Sequence, residues 1–501
     1  MNIVARPLGL LGFLSVLGIA CGSGKIGDGA PGTGGSGAGG GTTGSAGSVG
    51  STGTAGVTGP AGAAGSAGAT GSAGVTGSAG VTGAAGTPAT GALADRLTVA
   101  DVAVPAGVRA GVRNYRIWGA SMLRVAPVYI APLSDCSTLV CYTGGTTSAP
   151  SARAVVLTAD DQLAATIDLG AFECRGIAAE TGGGAFAALL WDNAGDRIYV
   201  HRFMLTGATS WNTELTNSDN HPTDFGIGES RLEFGGDRYG AYYHVHSDSG
   251  HEGDTLKFVN ASTGAQTTQW SWGCSHSMSD LLSYHPQAAS FLPVCVTDCY
   301  PGTGSGDFPA VSIGGIYTDN RNKLMSVDAG CNGSVAGELG GAAIAPAGWK
   351  VVFNAHQAPT ALGDASYNKA TMNQDVGFAA VAMNHTVSGA VVWLTTTAGV
   401  DEADSAIARW QPMGDATEQY LVGWMEPGTT AAYKLARIDA AGAFLEGPTN
   451  VAARARWGQR DDPFRVHSNG DVLWAWFDAA GATTLHVARV RSGSPGLCPR
   501  P

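Results

Sequence analysis

One phrase recurs along this chain: an apolar run, a polar turn, a second alternating run, and a tight turn closed by glycine. It reads "FAALLWDNAGDRIYVHRFMLTG" at 186–207 and "AYYHVHSDSGHEGDTLKFVNASTG" at 241–264. It returns as "FAAVAMNHTVSGAVVWLTTTAG" at 378–399, "YLVGWMEPGTTAAYKLARIDAAG" at 420–442 and "VLWAWFDAAGATTLHVARV" at 472–490. Asp-Asn-Ala-Gly and Asp-Ala-Ala-Gly are turn chemistry between runs of period two, which is the signature of a β-hairpin. The runs are apolar on both faces, so the sheets they build must be covered on both sides. Amphipathic helical periodicity is absent, and the fold class is all-β.

Four-stranded sheets stacked around an axis cover both faces and leave few open edges. Residues 95–501 resemble a β-propeller on this ground. About seven blades are expected, with six or eight open, at roughly 58 residues each against ~40–50 in common repeat families. Insertions such as "VCVTDCYPGTGSGDFPA" would carry the excess. The phrase lacks the signature of WD40 or kelch repeats, and a pair of β-sandwiches is the structural rival.

The first segment, "MNIVARPLGLLGFLSVLGIAC", has a short basic start at Arg6 and an apolar core from Leu8 to Ile19. That core is shorter than the ~20 apolar residues of a spanning helix and reads as a secretory signal over residues 1–20. Its end, "LGIAC", resembles the lipobox of bacterial lipoproteins, departing from it at Gly18. The resemblance implies that Cys21 is acylated and holds the protein to a membrane, each buried CH₂ contributing about 0.8 kcal/mol. Residues 21–94 then form a Gly-rich spacer in which every third residue from Gly41 to Gly86 is glycine. The period resembles collagen, but the tract contains only Pro60, and Pro is what stiffens a triple helix. A disordered leash is the expectation, with a mean reach of ~45 Å as a random coil; trimerisation through the tract is the competing reading of a domain otherwise expected to be monomeric.

Charged residues make up 14% of the chain and the net charge is −12. Neither a nucleic-acid footprint nor a polybasic lipid-binding patch is compatible with that balance. Removing Cys21 from the nine cysteines leaves an even set, which in an exported chain reads as disulfides. "DCSTLVC" and "CVTDC" each offer a small local loop, making Cys136, Cys141, Cys295 and Cys299 the disulfide candidates. The remaining pairs cannot be assigned from spacing.

The second copy of the phrase concentrates histidine. Tyr242, His244 and His246 alternate on one strand face, while Tyr243 and Val245 take the other. His251, Glu252 and Asp254 are expected in the turn that follows, and His276 in "GCSHS" just past the next strand. His244, His246, His251 and His276 are therefore the candidate ligands of a divalent metal, with Glu252 and Asp254 as ligand-binding or acid–base carboxylates. "HEGDT" is not H-E-x-x-H, and His and Asp also serve propeller turns by bonding the turn backbone. Other catalytic signatures fail: there is no G-x-S-x-G, and "GSGKI" carries Ile26 where a phosphate loop needs Ser or Thr. No catalytic residue is assigned.

The sequence thus leads to a lipoprotein of the cell envelope that displays a propeller domain for a protein or carbohydrate ligand. Two alternatives stand beside it: an exported metal-dependent enzyme using the histidine cluster, and a structural envelope protein.

Overall fold

The computed structural model describes residues 91–117, 120–125, 128–192, 194–216, 230–246, 252–271, 274, 280–297, 313–318, 322–328, 337–355, 357, 374–458 and 463–493. The signal and spacer readings lie outside these residues. Strand dominates, and the described residues hold seven four-stranded antiparallel sheets and one two-stranded hairpin.

Sheet I runs Tyr129–Pro132, Thr138–Thr146, Ala149–Leu157 and Leu163–Gly170, and sheet II Glu173–Ala179, Ala185–Asp192, Arg197–Met204 and Thr209–Glu214. Sheet III runs Ser230–Gly235, Arg238–His246, Glu252–Asn260 and Gln266–Ser271, and sheet IV Asp280–His285, Ser290–Thr297, Ile313–Thr318 and Asn322–Asp328. Sheet V runs Gly337–Ala345, Gly348–Ala355, Asp375–Ala382 and Val387–Trp393, and sheet VI Ala403–Arg409, Gln419–Glu426, Ala432–Asp439 and Phe444–Asn450. Sheet VII takes Arg465–Val466, Val472–Trp476 and Thr484–Val490 from the end of the chain and Leu97–Ala103 from its start. Each sheet is an up-and-down meander whose first strand adjoins the first strand of the next, from I round to VII and back to I. This is a β-propeller arrangement, and Leu97–Ala103 closes it by pairing with Thr484–Val490 over seven residues, Leu97 opposite Val490 and Ala103 opposite Thr484.

The two-sided apolar runs are explained by what covers them. In the second strand of sheet II, Ala187, Leu189 and Trp191 pack with Leu232, Tyr239, Tyr243 and Val245 of sheet III. Their alternates Phe186, Ala188 and Leu190 pack with Leu139, Cys141 and Ala154 of sheet I. One strand thus serves two interfaces, each large side chain contributing about 1.5–3 kcal/mol on burial. Fourth strands see solvent, and Thr209–Glu214 alternates exposed and half-buried. Close packing sets one glycine absolutely: a Cβ on Gly235 would lie 2.1 Å from the Tyr284 ring of the neighbouring sheet.

The expected local cysteine loops do not form. Cys141 bonds Cys174, with Cα atoms 6.3 Å apart, and ties sheet I to sheet II. Cys295 bonds Cys274, with Cα atoms 6.1 Å apart, and ties sheet IV to the segment after sheet III. Cys136 is also in a disulfide, to a partner outside the described residues, where Cys299 lies too. Cys141, Cys174 and Cys295 sit on strands that face a neighbouring element, so the Cys141–Cys174 and Cys274–Cys295 bonds cross between elements instead of closing a turn.

A further departure concerns the phrase itself. Four copies are second and third strands, but 378–399 supplies the third and fourth strands of sheet V. There the link between second and third strands is the long stretch from 356 to 374, so the tight turn falls one hairpin later. His385 occupies that turn with φ 68°, its Nε2 3.0 Å from Ser290 Oγ and its ring 5.4 Å from Trp349. It joins sheets IV and V.

Candidate functional site

Because every sheet repeats the same up-and-down order, the starts of all first and third strands and the ends of all second strands lie at one end of the arrangement. Buried charge collects there. Glu173 and Arg175 begin the first strand of sheet II, Arg231 that of sheet III, Asp280 that of sheet IV and Glu338 that of sheet V, while Glu402 immediately precedes that of sheet VI; all are buried. Asp254 and Asp375 begin third strands at the same end and are buried as well. Sheets II and III carry arginine together with the carboxylates Glu173 and Asp254, whereas these buried groups on sheets IV to VI are all carboxylates.

His244 and Asp254, expected to lie on a strand and in a turn, are directly opposed residues of two adjacent strands. Asp254 is therefore not a turn residue, because the third strand starts at Glu252. His244 Nδ1 lies 3.1 Å from Asp254 Oδ1, and the Tyr242 hydroxyl donates to Asp254 Oδ2 at 2.9 Å, all three being fully buried. Burial pushes the Asp254 carboxyl up, against the opposing pull of His244 and Tyr242. Burial, with the charges of Asp254 and Asp280, drives the Tyr242 hydroxyl well above its ordinary range, so it stays a neutral donor. The expected alternation holds: Tyr243 and Val245 face sheet II, and Tyr242 faces Leu282, Phe291 and the Cys274–Cys295 bond.

His246 and Glu252 oppose each other in register, but their side chains are outside what is described. His251 and His276 lie outside the described residues. The structure brings Asp254 together with Cys274 and Cys295, their ligand atoms lying within 4.8 Å of one another. The two sulfurs are bonded to each other, so neither is a thiolate able to hold a metal. What remains is a Tyr–Asp–His network sealed between sheets III and IV.

The arginine side is a group that sequence reasoning did not single out. Arg109, just before the hairpin Ala110–Ile117 and Ala120–Val125, is fixed by its N–H donating to Thr143 O at 2.8 Å. The Thr143 hydroxyl accepts from Cys174 N at 2.9 Å, which sets sheet I against the start of sheet II. Arg109 Nη2 lies 2.7 Å from Glu173 Oε1, and Arg175 Nη2 lies 3.3 Å from Glu173 Oε2. The Arg175 guanidinium sits 5.1 Å from the centroid of the Trp191 ring, and its carbonyl accepts from Ser230 Oγ at 2.7 Å. Arg231 Nη1 donates to Ser230 O at 2.8 Å. Further along the first strands, Arg465 Nη1 of sheet VII meets Glu233 Oε1 of sheet III at 2.9 Å. These strands are not neighbours, so the pair spans the space they enclose.

On the acidic side, Asp401 Oδ1 accepts from Gln374 N at 2.9 Å, and Asp375 Oδ2 from Gln357 Nε2 at 2.8 Å. Burial, together with the charge of Asp375, pushes the Glu402 carboxyl up to about 7. Dry, same-sign carboxylates favour the neutral acid.

No family model matches this chain, and no curated protein matches it. Among solved structures it is similar to the β-propeller domain of the Trilobed protease from Pyrococcus furiosus, at 8% identity over 70% of this chain and 90% of that one, with a TM-score of 0.37. It is likewise similar to the Cps50 (Swd1) β-propeller domain from Myceliophteria thermophila, at 9% identity over 77% of this chain and 98% of that one, with a TM-score of 0.39. What this chain shares with them is the propeller architecture alone.

Proposed function

We propose that this protein is a cell-envelope lipoprotein that displays a seven-bladed propeller as a binding module, its ligand meeting the end where the first strands begin. The observation that carries the reading is the concentration of buried charge at that end, with arginine confined to sheets II and III and carboxylates on sheets II to VI. Burying ionised groups costs several kcal/mol each unless they are paired, so their gathering at one end is not expected of a scaffold alone. Seven sheets whose first strands adjoin from one to the next support the blade number. The "LGIAC" stretch supports acylation of Cys21, and the glycine-periodic spacer supports presentation away from a membrane surface. Disulfides between sheets support export. A protein or carbohydrate ligand suits such a rigid frame. The metal-dependent enzyme is the second reading; of its four histidines only the His244 side chain is described, with Nδ1 held by Asp254.

The test uses full-length protein in detergent. Peptide and oligosaccharide panels are screened by thermal shift, and any binder is footprinted by hydrogen exchange. Protection at the starts of the first and third strands is expected. Protection confined to the opposite turns, such as 205–208, 261–265 and 440–443, contradicts the reading. In parallel, Cys21→Ser is expected to move the protein out of the membrane fraction.

A further inference from the structure

Two guanidinium groups and one carboxylate are buried together at the start of sheet II. Arg109 is 3% exposed, and Arg175 and Glu173 are each 2% exposed. Glu173 is the one carboxylate ion-paired with either arginine among the described residues. The group therefore carries one excess positive charge, and guanidinium cannot shed it by losing a proton. Arg109 Nε and Nη1, Arg175 Nε and Trp191 Nε1 are buried donors without a hydrogen-bond partner among the described residues. A buried donor left unpaired costs about 1–3 kcal/mol, more when it is charged. Four such donors and an uncompensated cation define what would complete the site: an anion with several acceptor oxygens. Arg109 and Arg175 present planar forks suited to it, and the Trp191 ring fixes the plane of one of them.

We propose that Arg109, Arg175 and the Trp191 indole N–H form an oxyanion site that takes a carboxylate or phosphate group of the ligand. This names the chemistry of the binding end inferred above and rests on that reading for the larger ligand, while the small-anion test below stands by itself. Ser230 links this group to sheet III, its hydroxyl donating to Arg175 O and its carbonyl accepting from Arg231 Nη1.

The full-length protein is melted in sodium acetate, sodium phosphate or sodium chloride at matched ionic strength. A bound anion raises the midpoint progressively with its concentration, here between about 1 and 50 mM. A rise in acetate or phosphate beyond that in chloride is expected, and which of the two acts assigns the group as carboxylate or phosphoryl. Arg175→Gln and Arg109→Gln are expected to abolish the rise, and Arg202→Gln, an arginine paired with Glu180 at the opposite end, to keep it. Equal midpoints in all three salts for the natural protein overturn the proposal, whether or not the arginine variants fold. So does a rise that persists in both folded variants. A peptide or sugar that footprints to this end without any anion effect would sink this inference while leaving the binding reading intact.

Discussion

Arg489→Met tests how the ring is held shut. Arg489 lies on the third strand of sheet VII, is fully buried, and reaches across to sheet I. Its Nε and Nη2 donate to Asp161 Oδ2 and Oδ1 at 3.1 and 2.6 Å, and its Nη1 lies 3.7 Å from Asp471 Oδ2. Both carboxylates are buried, and Asp161 holds a tight turn with φ 59°. Methionine fills much of the volume but leaves two carboxylates without their main counter-charge. Removing one partner of a buried ion pair costs about 3–5 kcal/mol. A structured domain of roughly 400 residues has an unfolding entropy near 0.8 kcal/mol/K, so the melting midpoint should fall by about 4–6 °C. Calorimetry and tryptophan-fluorescence urea titration measure it. Asp161→Asn in the same chain should recover part of the loss, because the orphaned charge is then removed, and the two effects should fail to add. A single variant within about 0.5 kcal/mol of the natural protein would refute the assignment of this triad as the clamp between first and last sheets.

Two further outcomes follow from the same packing. His201 and His467 are held near 4 and 3 by burial, His467 also by the charge of Arg489, against 6.5 when unfolded. The unfolded chain alone takes up these protons, so their contribution is complete above pH 6.5 and is lost as pH falls. Each removes about 1.4 kcal/mol per pH unit below that point. His467→Gln should flatten the stability profile between pH 6 and 4 by that amount, and an unchanged slope would contradict it. Glu402 acts in the opposite sense: pushed up to about 7, it favours folding as pH falls from 7 toward 4.5. Peptide mapping without reduction should recover Cys141 joined to Cys174 and Cys274 joined to Cys295; a Cys136–Cys141 or Cys295–Cys299 peptide would contradict the inter-sheet bonds. Closing loops of 33 and 21 residues, each bond should be worth about 3 kcal/mol, read as a lower urea midpoint in Cys141→Ser/Cys174→Ser and Cys274→Ser/Cys295→Ser.

Second strands were the legible part of this fold. They are wedged between two neighbours, so both faces are apolar, and their turns carry their own chemistry. Asp192 Oδ1 accepts from the N–H of Ala194 and Gly195 in the DNAG turn at 192–195, and Asp439 Oδ1 from Ala441 and Ala443 in the DAAG turn at 439–442. First strands such as "ECRGIAA" and "GELGGAAIA" were not legible, since close approach to their neighbours selects small residues. The exposed fourth strand "TSWNTE" lacks an apolar face. The His244–Asp254 approach was within reach of the sequence because one hairpin makes it. Arg109, Glu173, Arg175 and Trp191 were not, because the segment before the hairpin 110–125 meets sheet II there through residues up to 82 apart. Their trace is a charged pair inside an otherwise apolar strand, "ECRG". The cysteine pairing failed for the same reason: sequence proximity favours local loops, whereas here the bonds run between sheets.

The binding end, the oxyanion site and the clamp at Arg489 all require one premise, that the strand Leu97–Ala103 completes the last sheet. Hydrogen exchange on the full chain measures this directly. Amides of 97–103 that bond into Thr484–Val490 should exchange as slowly as those of that partner strand, and both should open in one event. Exchange of 97–103 within seconds, while 484–490 stays protected, would mean that the ring is not closed there.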